Sequence, residues 1–223
     1  MKIINLLLVS VLMIMTSCTP TNEDRAERLV SSCIKDYLAY PDSYESISTY
    51  IDSTRVDVSK IEEILEYTKD VATLGSKVSS LEFDLESAQT TMEIYAPNSF
   101  YYSDFERGQY NRAKAEYEEH KSELQRLNEK LLEKIFTLRT ATNSLYTNEP
   151  NGWIVTHRYR SNGDDGEQLP PQEMIFFCDM AFEHCQGWTS KQYEFISNII
   201  KSINESETDD ELVDNLGGLQ YLL

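Results

Sequence analysis

Two consecutive segments of the chain carry an apolar residue at every seventh position. The first series is Ile64, Val71, Val78, Leu85 and Met92, with companions three residues later at Tyr67, Leu74, Leu81, Ala88 and Tyr95. The second series is Tyr110, Tyr117, Leu124, Leu131, Leu138 and Leu145, with companions Ala113, His120, Leu127, Lys134 and Ala141. Such a repeat keeps one face of a helix against a partner through a slight left-handed supercoil. The pattern therefore predicts two long helices with continuous apolar seams.

The connection between these helices is short. Ala96-Pro97-Asn98 ends the first helix, and the second begins near Ser103 and runs to Tyr146. Closing a small loop costs little entropy, which favours an antiparallel hairpin within one chain over a coiled coil between chains. Ser59-x-x-Glu62 has the spacing of a capping box that would open the first helix. Gly75 is its weak point, at a cost of about 1 kcal/mol relative to alanine.

The sequence around the hairpin predicts mixed helices and strands. A helix is expected from Glu23 to Ala39, and strands near residues 44–56, 153–160, 173–178 and 182–185. A further helix is expected to start at Thr189, which has the spacing of a capping box with Gln192, and it precedes an acidic tail. The predicted fold class is α+β, a small antiparallel sheet with packing helices and a long antiparallel coiled-coil hairpin inserted between strands. The predicted organisation is a signal peptide (1–17), a lipidated tether (18–23), an α+β body (24–57 and 147–204), the hairpin (58–146) and an acidic C-terminal tail (205–223).

The amino terminus has the features of an export signal. Lys2 precedes an apolar run from Ile3 to Met15, whose thirteen residues would reach only ~20 Å as a helix, less than the ~30 Å of a hydrocarbon core. Met15-Thr16-Ser17-Cys18 resembles the lipobox of bacterial lipoproteins. We therefore expect cleavage before Cys18 and lipid on that cysteine, with plain secretion and an uncleaved anchor as alternatives. The expected location is the cell envelope, membrane-anchored, with acidic Glu23-Asp24 pointing to the outer membrane.

Net charge limits the partners. The chain has 20 basic and 38 acidic side chains, a formal net charge of −18. This excess repels nucleic acid and anionic lipid surfaces, so nucleic acid is not an expected ligand. The expected partners are the membrane, through lipid on Cys18, and a protein or glycan. The oligomeric state stays open.

The cysteines allow one internal crosslink at most. With Cys18 lipidated, Cys33, Cys178 and Cys185 remain, an odd number in an oxidising compartment. Cys33 lies at helical spacing with apolar residues and is predicted to be a small buried side chain. Cys178 and Cys185 flank a turn and form a possible disulfide, although the strand register could also keep their sulfur atoms apart.

Several segments resemble one bacterial protein family. Pro41-Asp42-Ser43-Tyr44-Glu45 and the strand Gly152-Trp153-Ile154-Val155-Thr156-His157-Arg158-Tyr159-Arg160 are similar to segments of uncharacterised lipoproteins of gut anaerobic Gram-negative bacteria. The resemblance covers the parts of the chain on either side of the hairpin. It implies an envelope location and a small α+β body, and it implies no reaction.

The sequence offers little chemistry. There is no G-x-S-x-G, no phosphate-binding glycine loop and no H-E-x-x-H. A metal site would have to combine Cys178, His184, Cys185 and His157, but adjacent residues cannot easily aim both side chains at one ion. We therefore predict no metal, no cofactor and a non-enzymatic interaction module. The alternative is an envelope hydrolase with an unrecognised active site near His157 and Tyr159.

Two surface features are candidate sites. Clustered aromatic residues commonly anchor interfaces, and Phe100, Tyr101, Tyr102 and Phe105 lie at the predicted hairpin tip. They could instead cap the coiled coil or pack on the body. Asp52-Ser53-Thr54 resembles the acceptor for O-linked glycosylation of exported proteins in the same bacterial group, which makes Ser53 a possible glycosylation site. A solvated strand end is the alternative for Ser53.

Overall fold

The computed structural model describes residues 20–97 and 103–217 and has the predicted α+β architecture. Its elements are α1 (Asn22–Lys35), β1 (Glu45–Thr54), α2 (Ile61–Ile94), α3 (Asp104–Asn143), β2 (Gly152–Arg160), β3 (Gln172–Asp179), β4 (Cys185–Thr189), α4 (Ser190–Glu205) and α5 (Asp209–Gly217). The chain forms two compact units. Of the described residues, those up to Arg55 and those from Glu149 to Tyr193 form the first unit. Those from Val56 to Asn148 and those from Glu194 onwards form the second.

The first unit is an antiparallel sheet of four strands in the order β1-β2-β3-β4. Side chains alternate between the two faces of a strand, so Val155, His157 and Tyr159 of β2 share one face. That face packs under α1, whose apolar residues lie at helical spacing. The buried cluster between them is Ala26, Val30, Ile34, Val155, Tyr159, Phe176, Cys178 and Phe182.

Helix α1 is shorter than predicted. Thr21 and Asp24 form a capping box at its start, with the Asp24 backbone N–H donating to Thr21 Oγ1 at 3.2 Å. The helix ends at Lys35 instead of Ala39. The sequence predicts Tyr37 on the apolar face, but this residue is 90% exposed, so its burial does not stabilise a further helical turn. A short 3-10 turn at Pro41–Ser43 then leads into β1.

The second unit contains the predicted hairpin. The Asp57 N–H donates to the Leu145 carbonyl at 2.8 Å, and Lys134 Nζ lies 2.6 Å from Asp70 Oδ2, which sets α2 and α3 antiparallel in one chain. The seam is as the heptads predicted, but its burial is uneven. Ile64, Val71, Val78, Leu131 and Leu138 are buried, whereas Leu85, Met92, Tyr110 and Tyr117 are half-buried.

The C-terminal part differs from the predicted organisation. The described residues from Glu194 to Gly217 belong to the hairpin's unit. The expected acidic tail contains α5, in which Leu212 and Leu216 are fully buried. Helix α5 approaches α2 at Gly75, where an added Cβ would lie 2.4 Å from Val213 Cγ1. Gly75 is therefore a site of close helix packing and not a simple weak point.

One side chain ties these helices together. The Arg139 guanidinium donates to the carbonyl oxygens of Ile203, Ser206 and Thr208, and to the Asp209 carboxylate, each at 3.3 Å. A cation at the last carbonyls of a helix satisfies acceptors that lack internal partners and matches the negative end of the helix dipole. Arg139 thus joins α3 to the end of α4 and the start of α5.

Two local predictions were wrong. Ser59 does not cap α2, because Asp57 accepts the Ser59 N–H at 3.3 Å and caps a 3-10 turn at Val58–Lys60 that precedes the helix. The last strand begins at Cys185, not near Phe182, because Phe182 has a φ of 56° and lies in a turn. The predicted box of Thr189 and Gln192 at the start of α4 is confirmed.

None of the helices in the described ranges combines the length and the apolar character needed to cross a lipid bilayer.

Candidate functional site

His157, the residue near which a hydrolase active site was the alternative prediction, lies in a chain of hydrogen bonds beneath α1. Thr49 is its direct partner across β1 and β2, with Thr49 Oγ1 2.9 Å from His157 Nδ1. Tyr44 Oη lies 2.6 Å from His157 Nε2 and 2.6 Å from Ser31 Oγ. The sequence places these groups together because Ser31 faces the sheet from α1 and Tyr44 lies at the entry to β1.

Burial sets the chemistry of this group. The His157 side chain is fully buried, and burial lowers its pKa, with the Glu27 carboxylate acting weakly in the opposite direction. Burial also raises the pKa of Tyr44 and of Tyr159, whose rings stack around the imidazole. The imidazole is therefore neutral at pH 7, with hydroxyl groups at both ring nitrogens.

This arrangement lacks the parts of a nucleophilic site. A nucleophile needs a base that is oriented by a third group, commonly a carboxylate. Among the described residues no carboxylate hydrogen-bonds to His157, and Ser31 reaches Tyr44 and not the imidazole. With no exposed surface on His157, a substrate has no access to it. The group can join α1, β1 and β2 through satisfied polar contacts, which is a structural role.

Potential metal ligands meet in the turn between β3 and β4. Within residues 20–97 and 103–217, one group of three has ligand atoms within 4.8 Å of one another, namely Asp179, Glu183 and His184. Asp179 Oδ1 accepts the backbone N–H of Glu183 at 2.7 Å, and Asp179 Oδ2 lies 3.2 Å from His184 Nδ1. Partial burial opposes these contacts, but together they lower the pKa of Asp179.

This group differs from the combination that the sequence suggested. It contains His184 but neither cysteine nor His157, because His184 points into the turn while Cys178 and Cys185 lie in the strands. Sequence reasoning missed Asp179 and Glu183, although an acid, a turn and then Glu-His is a visible signal. The carboxylate of Asp179 already accepts hydrogen bonds from two backbone N–H groups. Exposed acidic side chains such as Glu183 are common in proteins without a bound ion, so this group alone does not indicate a metal site.

The three remaining cysteines all lie at the apolar cluster of the first unit. Cys178 and Cys185 are direct partners across β3 and β4, and Cys33 of α1 packs against the same apolar cluster. All three are free thiols in the structure. The disulfide between Cys178 and Cys185 stays a prediction, and the register places them where one could form.

Only part of the predicted hairpin tip lies in the described residues. Phe100, Tyr101 and Tyr102 fall outside them, whereas Phe105 lies in the first turn of α3 and is 65% exposed. Its ring meets the ring of Tyr95 edge-on, with centroids 6.3 Å apart. Ile94, at the end of α2, is 68% exposed. The hairpin end therefore presents large apolar side chains.

Of the two predicted modification sites, the structure describes Ser53 and not Cys18. Cys18 lies outside the described residues. Ser53 is exposed near the end of the edge strand β1, where its backbone N–H donates to Asp52 Oδ1 at 2.8 Å. The residue is exposed, as a glycosylation acceptor must be, and its glycosylation stays a prediction.

No protein-family model, curated protein or solved structure matches the chain.

Proposed function

We propose that the protein is an exported lipoprotein, held at the outer membrane of a cell envelope by lipid on Cys18, that serves as a non-enzymatic binding module for a protein or glycan. The short apolar run and the Met15–Cys18 sequence support export and acylation. Each buried methylene of an acyl chain contributes about 0.8 kcal/mol, so several chains hold a protein firmly at a membrane.

The exposed apolar end of the hairpin is the observation that carries the binding role. Ile94 and Phe105 expose about two thirds of their surface there, and three more aromatic residues follow one another in the sequence between them. Aromatic side chains are enriched at interface centres because they offer large contact areas at a low entropic cost. A loop that only connected the two helices would not require exposed apolar side chains.

The hydrolase alternative rests on His157, and its geometry gives that alternative no support. The imidazole is fully buried and hydrogen-bonded to Tyr44 and Thr49. A general base must come within hydrogen-bond reach of a substrate proton. A deep polar cleft at His157 would have favoured an enzyme, and a buried, satisfied imidazole favours the binding module.

Site-specific photocrosslinking tests the binding surface. A photoreactive phenylalanine analogue is placed at Phe105 in one variant and at Phe136 in a matched control. Phe136 is a phenylalanine of the same helix, 73% exposed, and lies away from the hairpin end. In intact envelopes we expect a discrete crosslinked protein or glycan from position 105 and none from position 136. Equal crosslinking from both positions, or none from either, would contradict a binding site at the tip.

A substitution experiment asks whether the tip aromatics serve binding or folding. Replacing Phe100, Tyr101, Tyr102 and Phe105 together with alanine should leave the melting temperature nearly unchanged and abolish partner capture. Phe136→Ala should leave both unchanged. Interface aromatics often contribute 2 kcal/mol or more, about a 30-fold change in affinity each. Unfolding of the quadruple variant would show instead that the aromatics belong to the core.

A further inference from the structure

The thiols of the first unit are arranged around Cys185. Cys178 is its direct partner across β3 and β4, and Cys33 of α1 packs against the same apolar cluster with its thiol beside that of Cys185. The sulfur atoms of all three do not converge within the 4.8 Å that a shared metal ion would need. Cys185 is therefore the middle member of a row, with one potential partner on each side.

The pairing of β3 and β4 favours a bond between Cys178 and Cys185. The Asp179 N–H donates to the His184 carbonyl at 3.1 Å, which makes 179 and 184 a hydrogen-bonded pair. Such pairs alternate with non-hydrogen-bonded pairs in an antiparallel ladder, so Cys178 and Cys185 form a non-hydrogen-bonded pair. Cα atoms in these pairs lie about 4.5 Å apart, which is within the range of about 4.4–6.8 Å that disulfides span.

Cys33 provides the second partner. It lies on the face of α1 that packs against the sheet, is half-buried and contacts Cys185 from the helix side. A bond between Cys33 and Cys185 would join the first helix to the last strand, whereas one between Cys178 and Cys185 would stay within the sheet.

We propose that Cys185 is the shared thiol of two alternative disulfides, Cys178–Cys185 and Cys33–Cys185, and that the crosslink can move between them. The oxidant is a small-molecule disulfide such as oxidised glutathione. It takes up the two electrons and leaves as two thiols while one protein S–S bond forms. In the exchange step the Cys33 thiolate attacks the sulfur of Cys185. A new S–S bond forms, the bond to Cys178 breaks, and Cys178 leaves as a thiolate that takes up a proton.

The surroundings of the thiols set the speed of this exchange. Burial raises the pKa of Cys33 to about 12, and the hydrogen bond with Cys178, together with burial, raises the pKa of Cys185. The attacking species is the thiolate, so little of it is present at pH 7. Exchange should therefore be slow at neutral pH and become faster as the pH rises towards 9.

Disulfide mapping tests the proposal. The mature chain carrying Cys18→Ala is reduced, oxidised with oxidised glutathione, blocked by alkylation and digested for mass spectrometry. Cys33→Ala should form Cys178–Cys185, and Cys178→Ala should form Cys33–Cys185. Cys185→Ala should lose the intramolecular disulfide while Cys33 and Cys178 are both alkylated. The bond between Cys33 and Cys185 closes the longer loop and should raise the melting temperature more.

Two results would overturn the proposal. One is a Cys33–Cys178 bond in folded Cys185→Ala, which would remove the shared role of Cys185. The other is the failure of either Cys33→Ala or Cys178→Ala to form its bond. These two variants keep the test decisive if Cys185→Ala does not fold, as judged by circular dichroism of the reduced proteins. The test does not depend on the proposed binding function, because it reads the crosslink alone.

Discussion

Folding removes the His157 imidazole from water and places it between the hydroxyl groups of Tyr44 and Thr49, which makes the stability of the fold depend on pH. Burial lowers its pKa in the folded chain below the value of about 6.5 expected when unfolded. Above pH 6.5 the imidazole is neutral in both states, and its contribution is fully present. As the pH falls below 6.5 the unfolded chain binds a proton that the folded chain does not. Stability should therefore decrease as the pH falls.

The prediction is that the free energy of unfolding falls between pH 7 and pH 5, by up to ~1.4 kcal/mol for each unit by which the pKa is lowered. Urea titrations across this range measure it. His157→Gln, which cannot titrate, should flatten the slope, although it also lowers overall stability by breaking hydrogen bonds. Phe136→Ala is the control, because it changes an exposed side chain that carries no titratable group, and it should keep the wild-type slope. An unchanged slope in His157→Gln would rule out His157 as the source.

Leu131 and Leu132 make a matched pair in the seam. Leu131 is 7% exposed and Leu132 is 55% exposed, one position apart on the same helix. Leu131→Ala should lower the free energy of unfolding by ~2–4 kcal/mol because it leaves a cavity between the helices. Leu132→Ala should change it by ~0.5 kcal/mol or less. Chemical denaturation of both variants measures the difference, and equal effects would place Leu131 outside a packed seam.

Among the elements, the approach of α5 to α2 depends on Gly75. Alanine there would gain about 1 kcal/mol in helix propensity but would place its Cβ against Val213 Cγ1. We therefore expect Gly75→Ala to destabilise the wild-type chain by ~1–3 kcal/mol, the usual cost of overpacking. In a Val213→Ala background, where the obstructing methyl groups are removed, the same change should stabilise. A double-mutant cycle measures this coupling, and additive effects would show that the helices do not meet there.

The helices and strands could be predicted largely from the sequence, because their periodicities are local. The heptads placed α2 and α3, and the aromatic run from Trp153 placed β2. The packing of α5 could not be predicted, since it approaches α2 at Gly75, a residue with no side chain to signal a contact. The sequence allows a short helix around residues 210–216, but its acidic residues gave no sign that Leu212 and Leu216 are buried.

The candidate sites divide in the same way. Local sequence could predict that Cys178 and Cys185 lie close together and that Ser53 and Phe105 are exposed. The hydrogen-bonded row from Ser31 through Tyr44 to His157 joins residues more than a hundred positions apart, and no spacing in the sequence announces it. Cys33 was assigned only a packing role for the same reason, because its partner lies in the last strand.

For the molecule as a whole, the decisive prediction concerns attachment. Cys18→Ala should move the protein from the membrane fraction to the soluble fraction, because no acyl chain can then be added. Metabolic labelling with palmitate should mark the wild-type protein and not the variant. Cys33→Ala serves as the control and should keep both the label and the membrane location. Label retained by Cys18→Ala would contradict lipidation at that residue, and protease accessibility on intact cells would separate periplasmic from surface display.

The ends of β1 and β2 have a consequence for variation in this chain. Thr54 and Gly152 are direct partners in the ladder, so the polypeptide leaves the sheet and returns to it at neighbouring residues. The length of the hairpin formed by α2 and α3 therefore does not affect the pairing of β1 with β2. Adding or removing one heptad from each helix changes that length by ~10 Å and moves neither strand terminus. Duplication or loss of matched heptads would therefore change the length of the hairpin while the sheet keeps its register.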